Sequence, residues 1–129
     1  MDHRILVIDG HPVYIKKTEG FLKGMTITDV ELSATGKEGL ERLDKEEFDL
    51  VILSGILPDM SSFKVCETVR SKCPAVKIIV QVGLFCEMED RDNFLKCGAD
   101  VVLDRKEKDL APLESALTRL LGVNSNAAQ

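Results

Sequence analysis

Two apolar runs in this chain end in residues that could do chemistry. Asp49-Leu50-Val51-Ile52-Leu53-Ser54-Gly55-Ile56-Leu57-Pro58 passes from a strand-length Val/Ile/Leu segment into a small polar residue and a Gly/Pro-punctuated loop. Arg4-Ile5-Leu6-Val7-Ile8 leads in the same way into Asp9-Gly10-His11-Pro12. A continuous apolar run suits a strand buried on both faces of a parallel sheet, and ligands of open α/β folds bind beyond the carboxyl ends of such strands. Ser54 and Asp9 both fall at that edge. A serine is a useful nucleophile only beside a base, and an aspartate holds a divalent cation only with further oxygen ligands. His11 is the only histidine near enough in the pattern to serve Ser54, and its place before Pro12 reads better as a helix-start residue; His3 carries no signal.

Composition narrows the function classes. The 129 residues are 44% hydrophobic and 30% charged, enough for one domain with its own core. A net charge of -5 and a pI near 5.1 argue against a nucleic-acid footprint, which needs clustered Lys and Arg. No apolar segment reaches membrane-spanning length and no signal-peptide pattern opens the chain, so a cytoplasmic protein without a membrane interaction is expected. Cys66, Cys73, Cys86 and Cys97 show neither C-x-x-C spacing nor zinc-site pairing with histidine. Cys66 and Cys73 lie two helical turns apart, roughly 10 Å along the axis, too far to bridge. Buried or half-buried reduced thiols are expected.

The elements that must position Ser54 and Asp9 follow from periodicity and punctuation. A first strand over Arg4–Ile8 leads into a helix from about Pro12 to Lys23, burying Val13, Tyr14, Phe21 and Leu22 and ended by Gly24. Ile27–Ala34 reads as an outer strand, and Thr35 with Glu38 as a capping box. Gly36, Gly39, Leu40 and Leu43 form the inner stripe of the second helix, the glycines allowing close approach to the sheet. After the strand at Asp49–Ser54, Ser61 or Ser62 caps a third helix that buries Phe63, Cys66 and Val69. Val76–Val82 is the fourth strand, and Leu84–Cys97 the fourth helix, with Glu87, Glu89, Asp90 and Asp92 toward its start, Lys96 at its end, and Gly98 beyond. Ala99–Leu103 is the fifth strand. Asp109 caps a last helix carrying Leu110, Leu113, Leu117 and Leu120, with Pro112 in its first turn. One domain over residues 1–121 is expected, with residues 122–129 a disordered tail or the start of a linker.

Five strands alternating with five helices predict a doubly wound, flavodoxin-like (βα)5 fold with a five-stranded parallel sheet in the order 2-1-3-4-5. The first and third strands are then neighbours, which sets Asp9 and Gly10 beside Ser54.

With this rhythm established, the chain over about residues 4–121 resembles the receiver domains (CheY-like) of two-component response regulators. The resemblance rests on Ile5-Leu6-Val7-Ile8-Asp9, on Asp49-Leu50-Val51-Ile52-Leu53 followed by Leu57-Pro58-Asp59-Met60 and Phe63-Lys64-Val65-Cys66, and on Lys96-Cys97-Gly98-Ala99-Asp100. It implies a phosphorelay-type signalling module in which an aspartate ends the third strand as phosphoacceptor, two acidic residues after the first strand hold Mg²⁺, a Ser/Thr ends the fourth strand and a lysine ends the fifth. Ser54 stands at the phosphoacceptor position, and Gly10 leaves Asp9 alone in the acidic pocket. Val82 and Val102 stand at the two switch positions, and Arg105 replaces the lysine.

Phosphoryl transfer to aspartate needs a carboxylate nucleophile and a cation held by carboxylates. With both depleted, a pseudo-receiver is expected: not an enzyme, with Mg²⁺ binding absent or very weak, and Arg105 pairing with Asp9 across the pocket. Function then moves to a protein–protein interaction surface. The resemblance implies the face of the fourth helix, fifth strand and fifth helix, meeting a signalling protein, an output domain or a second copy in a homodimer, with Leu84, Phe85 and Met88 as candidate contacts. The alternative is a small-molecule or anion sensor using the emptied pocket. No Gly-rich phosphate loop, G-x-S-x-G elbow or two-histidine metal motif supports an α/β enzyme of another kind.

Overall fold

The protein was analysed as a computed structural model, which describes residues 3–83, 88–105 and 110–122. Five parallel strands, β1 (Arg4–Ile8), β2 (Asp29–Ser33), β3 (Leu50–Ser54), β4 (Lys77–Val82) and β5 (Val101–Asp104), form one sheet in the order β2-β1-β3-β4-β5. The helices between and after them are α1 (Pro12–Gly24), α2 (Gly36–Lys45), α3 (Ser62–Lys72), α4 (Met88–Lys96) and α5 (Ala111–Leu121). This is the doubly wound order expected from the sequence.

Period-two alternation along the buried strands divides the interior into two layers. Leu6, Ile8, Val51, Leu53, Ile78, Val80 and Val82 face one side of the sheet, where Leu43 of α2, Val65, Cys66 and Val69 of α3 and Phe94 of α4 pack on them. Ile5, Val7, Leu50, Ile52 and Ile79 face the other, under Ile15 and Leu22 of α1 and Leu113, Ala116 and Leu117 of α5. β2 lies at an edge and is mostly half-buried, as its alternation implied. Register fixes the functional end: Ile8 pairs with Leu53, so Asp9 and Ser54 are the next residues of adjacent strands.

Several local features depart from the sequence reading. The inner stripe of α1 is Ile15, Thr18 and Leu22, while Val13 is 54% exposed and Tyr14 and Phe21 are half-buried. Thr18 interrupts an apolar stripe on paper, yet its small side chain fits the sheet face, and the helix is rotated accordingly. Gly24 ends α1 as expected, and the left-handed residue beyond it is Thr26, with φ 64°. Ser61, the first of the two serines proposed, caps α3 through a bond from the Lys64 N–H, and Phe63 is only half-buried. Leu84–Glu87, expected in the fourth helix, and Asp109, expected to cap the fifth, lie outside the described residues. The N-cap position of α5 is Leu110, which makes no side-chain cap bond. Gly98 does take the left-handed position after α4, with φ 113°.

Two glycines test how closely the helices approach the sheet. A Cβ on Gly39 would lie 2.5 Å from Cδ1 and 2.7 Å from Cγ1 of the fully buried Ile8, whereas a Cβ on Gly20 would meet nothing within 4 Å. Alanine gains about 1 kcal/mol over glycine inside a helix, but overpacking a core costs about 1–3 kcal/mol. Gly20→Ala should therefore stabilise by about 1 kcal/mol, while Gly39→Ala, net of the same helix gain, should destabilise by up to about 2 kcal/mol, both read from the urea midpoint.

Candidate functional site

The residues singled out by the sequence meet where β1, β3, β4 and β5 end. Asp9 follows β1 and is 2% exposed. Its N–H donates to the Ser33 carbonyl at 3.0 Å, continuing the β1–β2 ladder, and its carboxylate accepts the His11 N–H at 2.9 Å. Arg105 follows β5 and is fixed by its own N–H, which donates to the Val82 carbonyl at 2.7 Å. From there Nη2 reaches back across the sheet to Asp9 Oδ2 at 2.5 Å. The pairing expected of these two residues is thus in place. Sequence periodicity missed a third member: Tyr14 of α1, whose ring lies 4.4 Å beneath the Arg105 guanidinium carbon.

Ser54, the last residue of β3, is 5% exposed. Its hydroxyl donates to the Ile56 carbonyl at 2.9 Å and accepts the Ile56 N–H at 3.3 Å. Both hydrogen-bonding functions are spent inside the β3–α3 loop. His11 caps α1, its Nδ1 accepting the N–H groups of Val13 at 3.2 Å and Tyr14 at 3.3 Å. That nitrogen is the one a general base would need, and the helix has it. Gly10 is covered by the same loop as Ser54: a Cβ there would stand 2.7 Å from Cδ of Pro58 and 3.1 Å from the Ala34 carbonyl oxygen. A second carboxylate at this position would force the Pro58 loop outward.

Val82 is buried at the end of β4 and packs in the same layer as half-buried Val102 of β5. A Cβ on Gly55 would lie 3.0 Å from Cγ1 of Val82, so the β3–α3 loop runs close over this side chain. Met88 opens α4 and is 80% exposed; Leu84 and Phe85 lie outside the described residues. Among the described residues, no three His, Cys, Asp or Glu side chains are grouped so that they could hold a metal ion. Burial pushes the Cys66 thiol up to about 12 and raises that of Cys97, which keeps both protonated. Cys86 lies outside the described residues.

Asp59 does a job that no local pattern announced. From the β3–α3 loop its two carboxylate oxygens accept the N–H groups of Gly36 at 2.8 Å and Lys37 at 3.0 Å, at the start of α2. Thr35 caps the same helix through a bond from the Glu38 N–H at 3.1 Å. The backbone donors hold the Asp59 carboxyl below the usual aspartate range. The loop that carries Ser54 and covers Gly10 is thereby tied to a helix 22 residues earlier in the chain.

An open five-stranded sheet with helices on both faces and a charged crevice at the reversal of its strand order defines a doubly wound α/β domain. The chain belongs to the response regulator receiver domain family, whose profile its residues 5–118 match. The regulatory protein VanR of Enterococcus faecium is 36% identical over 114 residues, 88% of this chain and 47% of that protein. A gliding motility regulatory protein of Myxococcus xanthus is 25% identical over 118 residues, 91% of this chain and 15% of that one. The chain thus spans less than half the length of these relatives. Among solved structures, the BeF3-activated DrrB receiver domain superposes with a TM-score of 0.83 at 26% identity, covering 95% of this chain and 99% of its own. A CheY-like receiver domain protein from Methanospirillum hungatei JF-1 gives 0.81 at 26% identity, covering 95% and 96%.

The Asp59 brace makes stability depend on acid. A carboxyl whose folded value lies below its unfolded value, about 3.9, contributes stability above that pH and loses it as pH falls through the folded value. Asp59→Asn should therefore melt at lower temperature than the native chain at pH 7, with the gap closing as pH falls below about 4, read by thermal unfolding across pH.

Proposed function

We propose that this receiver domain signals without being phosphorylated and acts as a protein–protein interaction module, a pseudo-receiver within a two-component pathway. The observation that carries the reading is the Arg105–Asp9 pair, in which the buried carboxylate of the crevice is neutralised by a cation of the same chain. Ser54 is taken to occupy the phosphoacceptor position, and a serine hydroxyl closed into its own loop has neither the charge nor a base to attack a phosphoryl group. Gly10 supplies no second ligand, so Mg²⁺ would compete with Arg105 for one carboxylate. Val82 offers no hydroxyl to a phosphoryl oxygen.

Partner binding is placed on the face of α4, β5 and α5. Met88 and Leu95 are seven residues apart on α4, hence on one side of it, and are 80% and 48% exposed. Arg91 of α4 pairs with Asp104 at the end of β5, next to Arg105, so this face is coupled to the crevice by adjacent residues. The occupant is a signalling protein, an output domain or a second copy of the chain. The anion-sensor alternative is weaker, because an anion drawn to Arg105 would have to displace Asp9.

Incubation with acetyl phosphate and Mg²⁺, followed by intact-mass measurement, should leave the native chain unmodified. The Ser54→Asp variant should also remain unmodified, since its metal ligands are still incomplete. A stoichiometric phosphoryl adduct on the native chain, either a hydroxylamine-resistant ester on Ser54 or a hydroxylamine-sensitive acyl phosphate on a carboxylate, would contradict the reading.

A further inference from the structure

We propose that a second site, beside the crevice and separate from the Asp9–Arg105 pair, binds a small neutral or cationic aromatic molecule. A pocket of about 220 Å³ opens between the β3–α3 loop, α3, the end of β4 and α4. Phe63 of α3 and Phe94 of α4 form one wall, their rings stacked at 4.2 Å and 27°. Val82 lines it from the sheet and Ile56 from the loop. Gly55 and Gly83 bring backbone without side chains to the opening, and a Cβ on Gly83 would meet nothing within 4 Å.

Size and polarity select the ligand. An engineered apolar cavity of about 150 Å³ stays dry and takes benzene, whereas sites for drug-sized molecules begin near 300 Å³. A pocket between these limits fits a single or fused aromatic ring. Half-buried Phe63 offers a ring edge and face for offset stacking, backed by Phe94, which is 2% exposed. Asp90 is the only charged side chain among the described lining residues. Its carboxylate favours an N–H donor or a cation and opposes carboxylates and phosphates. Val82 matters here because it has nearly the shape of threonine but leaves this part of the lining without a hydroxyl. Asp90 and Phe94 both belong to α4, so an occupant would be felt on the helix that exposes Met88 and Leu95.

Methyl NMR of the full chain with indole as the probe, and indole-2-carboxylate as its anionic counterpart, tests the site. Indole should give saturable shifts at the Val82 and Ile56 methyls with smaller ones at Leu95, and indole-2-carboxylate should bind more weakly. Val82→Thr, which keeps shape and adds a hydroxyl, should weaken indole binding about fivefold or more. Ile56→Ser, at an 81% exposed position, removes apolar lining without adding charge and should weaken it as well. The proposal is overturned by an absence of saturable shifts up to the solubility limit of indole. Equal shifts at Leu43 and Val76, in the groove at the opposite end of the sheet, or undiminished affinity in both variants, would overturn it too.

Discussion

The structure depends on how one buried carboxylate is satisfied. Asp9 is 2% exposed at the end of a central strand, where an ionised group without a partner would cost several kcal/mol. It receives the N–H of His11 and the guanidinium of Arg105, and Arg105 comes from 96 residues further along the chain. Breaking such a pair on one side leaves a buried charge exposed to a low-dielectric surrounding, which is why the two residues stand or fall together. Arg105 is itself placed by its N–H on the Val82 carbonyl and by Tyr14 beneath its plane. The contacts of Arg105 therefore join β1, β4, β5 and α1 at the crevice end of the sheet.

Neighbouring contacts extend the same bracing. Asp104 holds Arg91 on α4, so consecutive residues after the core of β5 grip opposite sides of the molecule. On the other flank, Asp59 ties the Ser54 loop to α2, and Pro58 fills the space above Gly10. A receiver domain that worked by moving these loops toward a transferred phosphoryl group would need them free to respond to it. Here each is already bonded within the chain, as the proposed phosphorylation-independent role requires.

Much of this was legible in the sequence. Five apolar runs of strand length, each followed by a helical stripe, gave the sheet order, because right-handed crossovers leave few alternatives. Adjacent strands then brought Asp9 beside Ser54, and Arg105 came from the resemblance to receiver domains, which sets it at the position of their lysine. What stayed hidden depends on phase and on distance. Tyr14 lies off the core because the buried stripe of α1 runs through Ile15, Thr18 and Leu22, a phase that polar Thr18 conceals in the sequence. Thr26 adopts a left-handed backbone that its β-branched side chain disfavours, so no propensity pointed to it. Asp59 bonds to backbone groups 22 and 23 residues away, and a bond of that span leaves no periodic mark. The aromatic pocket is a gap between elements, visible only once they are packed.

A double-mutant cycle on Asp9 and Arg105, with Asp9→Ala, Arg105→Ala and the double variant compared by urea unfolding, tests the central constraint most directly. If Arg105 is the built-in counter-charge of the crevice, the single changes should not add, and the coupling should reach about 1.5–3 kcal/mol. Additivity within about 0.5 kcal/mol would show that Asp9 does not depend on Arg105 and would contradict a crevice closed by its own cation.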